Sequence, residues 1–425
     1  MSKTRRDFIK GGLALLGAGS VGLSMLTRSA QAADVSANAR LNLQDSAASD
    51  RVLVVVQLAG GNDGLNTIVP YGDGNYYGNR PTLGIQPGDL LTINNQLGFH
   101  PALSKLKAIY DAGEMAIIQA VGYPQPNRSH FRSMDIWHSA HPESVVNTGW
   151  LGRFLDIALA GEKNPLIALS LTDTLPLSLR ADTSVPSVSR LENYQILTDS
   201  KYPQDRSFKL NTFTKIYTQK QAEEKYFRDF AQQSGLDAYI SSEELKNGIA
   251  NYSSTVQYPN SAFSRSLQSI AKVMSGNFGT RIYYTSIGGF DTHANQIGNT
   301  VTTGTHAGLW TTICDGIEAF YADLQQLGKA DNTIILFWSE FGRRVRENAS
   351  RGTDHGAAAP MFVVGKAVKG GIYGDHPSLA PSALQDGDVK FSIDFRSVYA
   401  TILDKWFASD ANEILDGNFE RIQFL

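Results

Sequence analysis

Val52-Leu53-Val54-Val55-Val56-Gln57-Leu58 is a nearly unbroken apolar run of strand length, and such a run is stable only where both of its faces are covered. Comparable runs recur at Met115–Val121, Pro165–Ser170, Arg281–Ser286, Thr333–Trp338 and Met361–Val364. Between them lie stretches with helical spacing, at Pro101–Ala112, from Ser129, and at Trp150–Ala160, His306–Leu327 and Asp394–Phe407. Strands alternating with helices predict an α/β fold, a three-layer sandwich around a mostly parallel central sheet. The rhythm breaks between residues 191 and 275, a polar span rich in Gln, Lys, Glu and Tyr, which reads as a helical insertion or cap.

In open α/β sheets ligands collect at the carboxyl ends of the strands, so the residues that follow each run carry the functional argument. After Val52–Leu58 comes Gly60-Gly61-Asn62-Asp63-Gly64, in which Asp63 is a candidate ligand and Asn62 a neighbouring amide. The same residues also read as ordinary turn chemistry. After the Arg281–Ser286 run, Gly289-Phe290-Asp291-Thr292-His293 places Asp291 and His293 on one side of an extended segment, suited to one metal. The alternative is an Asp cap with His293 in a first helical turn. Ser339-Glu340-Phe341-Gly342-Arg343 offers Glu340, as a ligand or as a salt-bridge partner of Arg343 or Arg344. Gly352-Thr353-Asp354-His355-Gly356 offers His355, with Asp354 beside it as a ligand or an orienting group.

Asn127-Arg128-Ser129-His130-Phe131-Arg132 opens a helix, and a helix N-terminus favours a bound anion. Ser129 is either its capping residue or a nucleophile activated by a nearby metal. Arg128 and Arg132 suit tetrahedral oxyanions, and His130 is a further candidate for contact with substrate.

The first residues read as an export signal. Thr4-Arg5-Arg6-Asp7-Phe8-Ile9-Lys10 is a twin-arginine signature, a mild apolar stretch follows to Leu26, and Ala30-Gln31-Ala32 is a cleavage site. This divides the chain into a signal (1–32), a flexible leader (33–50) and one α/β domain (51–425). The twin-arginine translocase is the expected partner during export, and a periplasmic or secreted location follows. The apolar stretch falls short of the roughly 20 residues of a stable span, so the mature protein is expected to have none. With 38 Lys and Arg against 41 Asp and Glu, the net charge of −3 and the lack of a basic block argue against nucleic acid. Cys314 is the sole cysteine, which excludes an intrachain disulfide and a cysteine zinc site and leaves Cys314 as a packed small hydrophobe.

Arg-Ser-His-Phe, Ser-Glu-Phe-Gly-Arg and Gly-Thr-Asp-His-Gly occur in an order that resembles domain-of-unknown-function family 1501. That family in turn looks like a distant branch of the alkaline phosphatase and sulfatase superfamily. The resemblance implies strand-end metal ligands at Asp63, Asp291, His293, Glu340 and His355, and a nucleophile at Ser129. It leaves Phe341 where the superfamily has a histidine. The expected cofactor is a divalent metal, zinc or manganese, or calcium if oxygens dominate. The expected activity is hydrolysis of an anionic phosphate or sulfate ester. The alternative is a non-catalytic protein on the same scaffold that binds an envelope glycan.

Overall fold

The computed structural model describes residues 50–162, 164–194, 205–218 and 225–425. The export signal and all but the last residue of the leader lie outside these residues. In chain order the strands are β1 (Val52–Leu58), β2 (Ile68–Val69), β3 (Leu91–Thr92), β4 (Gly98–Phe99), β5 (Met115–Gly122), β6 (Ala168–Ser170), β7 (Ile282–Ile287), β8 (Thr333–Trp338), β9 (Ala359–Val364), β10 (Gly371–Tyr373) and β11 (Ile393–Asp394). β2, β4 and β3 make a small antiparallel sheet, and the other eight form the central sheet in the order β10-β5-β9-β8-β1-β7-β6, with β11 beside β5.

β1 is buried at every position, as its apolar run requires. It pairs in parallel with β7 on one side and β8 on the other, so Val54 lies opposite both Tyr283 and Ile335. β9 runs antiparallel to its neighbours β5 and β8, and the sheet is therefore mixed and mostly parallel. This reversal matters for function. The carboxyl ends of β1, β7 and β8 and the amino end of β9 fall on the same sheet edge.

The period-2 alternation of strand side chains divides the interior into two cores. Leu53, Val55, Ile334, Leu336 and Trp338 face one layer, with Trp137, Trp150, Phe154 and Tyr399 from its helices. Val54, Val56, Tyr283, Ile335 and Phe337 face the other, with Phe263, Leu267, Ile270, Trp310 and Phe320. The first layer comes from helices His130–Ser139, Trp150–Ala158 and Phe395–Thr401, the last capped by Asp394 and running into a π-helical turn at Ile402–Trp406. The second comes mainly from Ala262–Ser275 and Thr305–Gln326, which carries Cys314 in the core, its thiol pushed up to about 12 by burial. This is the three-layer α/β arrangement expected from the alternating runs.

Several elements are shorter than their sequence patterns. β6 begins only at Ala168, and the Pro101 segment opens as a 3-10 turn before helix Ser104–Asp111. Within 191–275 the described helices are Arg206–Thr218, Lys225–Gly248 and Ala262–Ser275, while 195–204 and 219–224 lie outside the described residues. Ala262–Ser275 covers the sheet directly, through Leu267 and Ile270. No helix among the described residues is long and apolar enough to cross a membrane.

Leu336 is fully buried on β8, the strand that leads into Glu340 and Arg343. Leu336→Ala is expected to lower unfolding stability by about 2–5 kcal/mol, the range for a cavity in a core that relaxes only partly. Urea denaturation of the two proteins measures it.

Candidate metal centre

Two glycines let the strand-end loops close on one another. Gly60 and Gly61 have positive φ values of 119° and 82°, a region that disfavours side chains. A Cβ on Gly60 would lie 2.4 Å from the Asp291 amide nitrogen, and one on Gly61 2.4 Å from the Phe341 ring. Beyond the sheet edge the chain leaving β8 stays paired with the chain entering β9. Gly342 and Gly356 donate to Ala357 and Gly342 carbonyls, and Arg343 lies opposite His355.

Asp291, His293 and His355 meet at this edge. His355 Nε2 lies 2.9 Å from His293 Nε2 and 3.0 Å from Asp291 Oδ1, and His293 Nε2 lies 3.1 Å from the same oxygen. His130 approaches from the helix start, its Nε2 3.5 Å from Asp291 Oδ2. One donor atom each from His130, Asp291 and His355 all lie within 4.8 Å of one another.

The other ring nitrogens decide the chemistry. His355 Nδ1 donates to the Arg128 carbonyl at 2.8 Å. His293 Nδ1 donates to Asp354 at 3.0 Å, and His130 Nδ1 donates to the buried Glu340 carboxylate at 2.8 Å. These partners are pure acceptors, so each Nδ1 carries a proton and each Nε2 is left to face Asp291. Three imidazole Nε2 atoms therefore face one carboxylate. His130 Nε2 is buried and has no hydrogen-bond partner among the described residues. Acceptors at such distances repel unless a proton or a metal cation lies between them.

The donor set fits a divalent metal. Imidazole nitrogens oriented through Nδ1 by a carboxylate or carbonyl are the usual arrangement around such an ion. Tetrahedral bonds of about 2.05 Å put donor atoms about 3.3 Å apart, against 2.9–3.1 Å among His293, His355 and Asp291 and 3.5 Å from His130 to Asp291. Burial alone would raise the Asp291 carboxyl. Hydrogen bonds from Arg343 and His355 outweigh it and hold the group at about 2. Asp291 is thus an anion at any neutral pH.

Not every candidate joins this group. Asp63 is fully buried elsewhere, held by a bidentate pair with Arg80 at 2.6 and 2.9 Å and by the Gln296 amide at 2.6 Å. Both of its oxygens are already bonded to buried donors. Glu340 stands one step back, accepting from His130 and from the Gly60 amide at 2.8 Å each, and orients the imidazole. It pairs with neither arginine. Arg343 binds Asp291 and Arg344 binds Asp388. Asp354 orients His293. Asn62 is buried, its side-chain oxygen taken by Thr67, His306 and Trp310, so it does not reach the group. The Arg128 guanidinium is tied to Asp388, and Arg132 holds the carbonyls of His141, Pro142 and Ser144. Phe341 offers no ligand and forms a platform instead, 4.9 and 4.7 Å from the His130 and His355 ring centres.

Ser129 is the N-cap residue by backbone conformation, yet its hydroxyl makes no capping bond and is exposed. It lies between Arg128, whose carbonyl anchors His355, and His130.

Arg80, Gln296 and Asp388 are the partners that sequence reading did not single out. Burial pushes the Asp63 carboxyl up, but Arg80 beside it wins and holds it below its ordinary value. A depressed carboxylate contributes its stability fully above the ordinary value of about 3.9 and loses it as pH falls through the folded value. Arg80→Met, which leaves Asp63 unpaired, is expected to cost about 3–5 kcal/mol at pH 7. The difference should narrow as the pH is lowered toward 3, measured by urea unfolding across that range.

None of the curated proteins matches the chain. Among solved structures, the PsFucS1 sulfatase from Pseudoalteromonas sp. is similar with a TM-score of 0.40 at 12% identity, over 91% of this chain and 74% of that one. The phosphonate monoester hydrolase SpPMH from Silicibacter pomeroyi gives 0.35 at 12%, over 87% and 76%. The C-terminal periplasmic domain of EcEptC from Escherichia coli, in complex with Zn, gives 0.37 at 8%, over 76% and 75%. Likeness this distant carries no argument about activity. Residues 50–418 match the family model described as a protein of unknown function, DUF1501, and the chain belongs to that family.

Proposed function

We propose that this protein is an exported, metal-dependent hydrolase of phosphate or sulfate esters. The observation that carries the reading is the convergence of three imidazole Nε2 atoms on the Asp291 carboxylate, with every Nδ1 already bonded. His130, Asp291, His293 and His355 would hold a single divalent ion, with Glu340 and Asp354 fixing two of the rings. A donor set dominated by nitrogen favours zinc or manganese over calcium. When bound, the ion supplies Lewis-acid stabilisation of charge on the ester oxygens.

The chain's own residues supply the rest. Ser129 offers an exposed hydroxyl, free of a capping role, at the start of a ten-residue helix whose dipole favours an anion. Its Oγ would bond to phosphorus or sulfur as the ester alcohol leaves, and water would then release the free acid. The twin-arginine motif at Arg5-Arg6 supports export to the periplasm or beyond.

A second reading, binding of an envelope glycan without catalysis, is favoured by the Asp63–Arg80 pair. A buried guanidinium occupies the carboxylate that a second ion would need.

Protein purified without chelator is expected to contain about one equivalent of zinc or manganese by elemental analysis. Glu340→Gln should weaken metal binding by about 10–100-fold, the usual effect of losing an orienting partner. Absence of metal, and of binding on titration, rules the mechanism out. In the metal-loaded protein, Ser129→Ala is expected to abolish ester turnover while leaving the metal content unchanged. Turnover that survives the substitution removes the serine from the mechanism, and no turnover by the unsubstituted protein leaves the binding reading.

A further inference from the structure

Two arginines flank the metal centre without touching it. Arg128 donates to Asp388 Oδ2 from Nε and Nη2, at 2.8 and 2.5 Å, and Arg344 donates to Asp388 Oδ1 from Nε at 3.1 Å. Asp388 is 1% exposed, whereas the arginine side chains are 41% and 36% exposed. One buried carboxylate thus holds two surface guanidinium groups in place. The trio keeps one net positive charge.

Each arginine is joined through its backbone to the candidate site. The Arg128 carbonyl accepts from His355, and the Arg344 amide donates to the Asp354 carbonyl, next to His355 in the chain. Arg344 Nη2 is taken by the Asp386 carbonyl. Among the described residues no acceptor takes a hydrogen from Nη1 of either arginine. A pair built only to neutralise Asp388 would need one arginine. The second is surplus, fixed, and open to solvent.

We propose that Arg128 and Arg344 form a subsite for a second anionic group of the substrate, a carboxylate, sulfate or phosphate borne close to the reacting ester. The proposal rests on the hydrolase reading for the position of that ester, and it narrows the substrate class to compounds with at least two acidic groups. Planar guanidinium forks suit such oxyanions, and anchoring by Asp388 reduces the side-chain freedom lost on binding.

Either arginine can be replaced without orphaning Asp388, because the other remains paired to it. The experiment compares phenyl phosphate with 4-carboxyphenyl phosphate by calorimetric titration, with and without added zinc. Full-length protein carrying Ser129→Ala serves as host, so that the esters are not consumed. The carboxylated ester is expected to bind about tenfold more tightly, as charge-assisted hydrogen bonds allow. Arg344→Met and Arg128→Met should each reduce that advantage, Arg344→Lys should recover part of it, and added salt should shrink it. Equal affinities for the two esters overturn the proposal, as does an advantage that survives in both methionine variants. A binding advantage in protein whose Ser129-bearing form turns over neither ester keeps the subsite and sinks the hydrolase reading. Turnover of phenyl phosphate without the advantage does the reverse.

Discussion

The strand-end loops are tied together by a buried cation. Arg343 leaves β8 and donates to the carbonyls of Gly60, Gly61, Phe290 and Thr353 and to the Asp291 carboxylate. Those acceptors belong to the loops that follow β1 and β7 and to the segment that precedes β9. A guanidinium out of water is tolerated only when its donors are answered, and here the Nε and both terminal nitrogens find oxygen partners. The carbonyl dipoles offset most of the desolvation, and the one full negative charge is the carboxylate that the imidazoles face. Position and ionisation of Asp291 therefore depend on the same residue that holds the loops.

The direction of β9 is the second constraint. Its antiparallel course brings Thr353, Asp354 and His355 back to the edge that β8 has just left, and the Arg343–His355 bridge sets their register. A slip of one residue would turn the imidazole to the other side of the strand. Had β9 followed the parallel course of its neighbours, its amino end would lie at the far edge of the sheet, away from Asp291.

Much of this was legible in the chain. The apolar runs named the central strands, and the residues after them named Asp291, His293 and His355, which do converge. Two kinds of information were not local. One was the partner of each carboxylate: Asp63 and Asp291 sit in similar Gly-Gly loops, yet Asp63 meets Arg80 and Asp291 meets Arg343, and only the folded chain brings those arginines near. The other was depth. Glu340 and His130 are both near the centre, but Glu340 is wholly buried and His130 stands in front of it, so the carboxylate orients and the imidazole faces the centre. His130 at a helix start resembles surface decoration because its partners Asp291 and Glu340 lie 161 and 210 residues further along the chain.

Phe341 then takes on a different meaning. A phenylalanine in place of a ligand reads as decay when the segment is considered alone. In the fold, its ring lies against both His130 and His355 and under Gly61, so it limits how those imidazoles can tilt. Beside that ring stands His130 Nε2, supplied by the helix rather than by the strand end. The change at Asp63 is of another kind. A bidentate guanidinium already neutralises that carboxylate, and displacing it would strand two buried charges, so the cost of admitting an ion there exceeds that of leaving the pair intact. Of the two carboxylates in the Gly-Gly loops, Asp291 alone is left facing imidazoles.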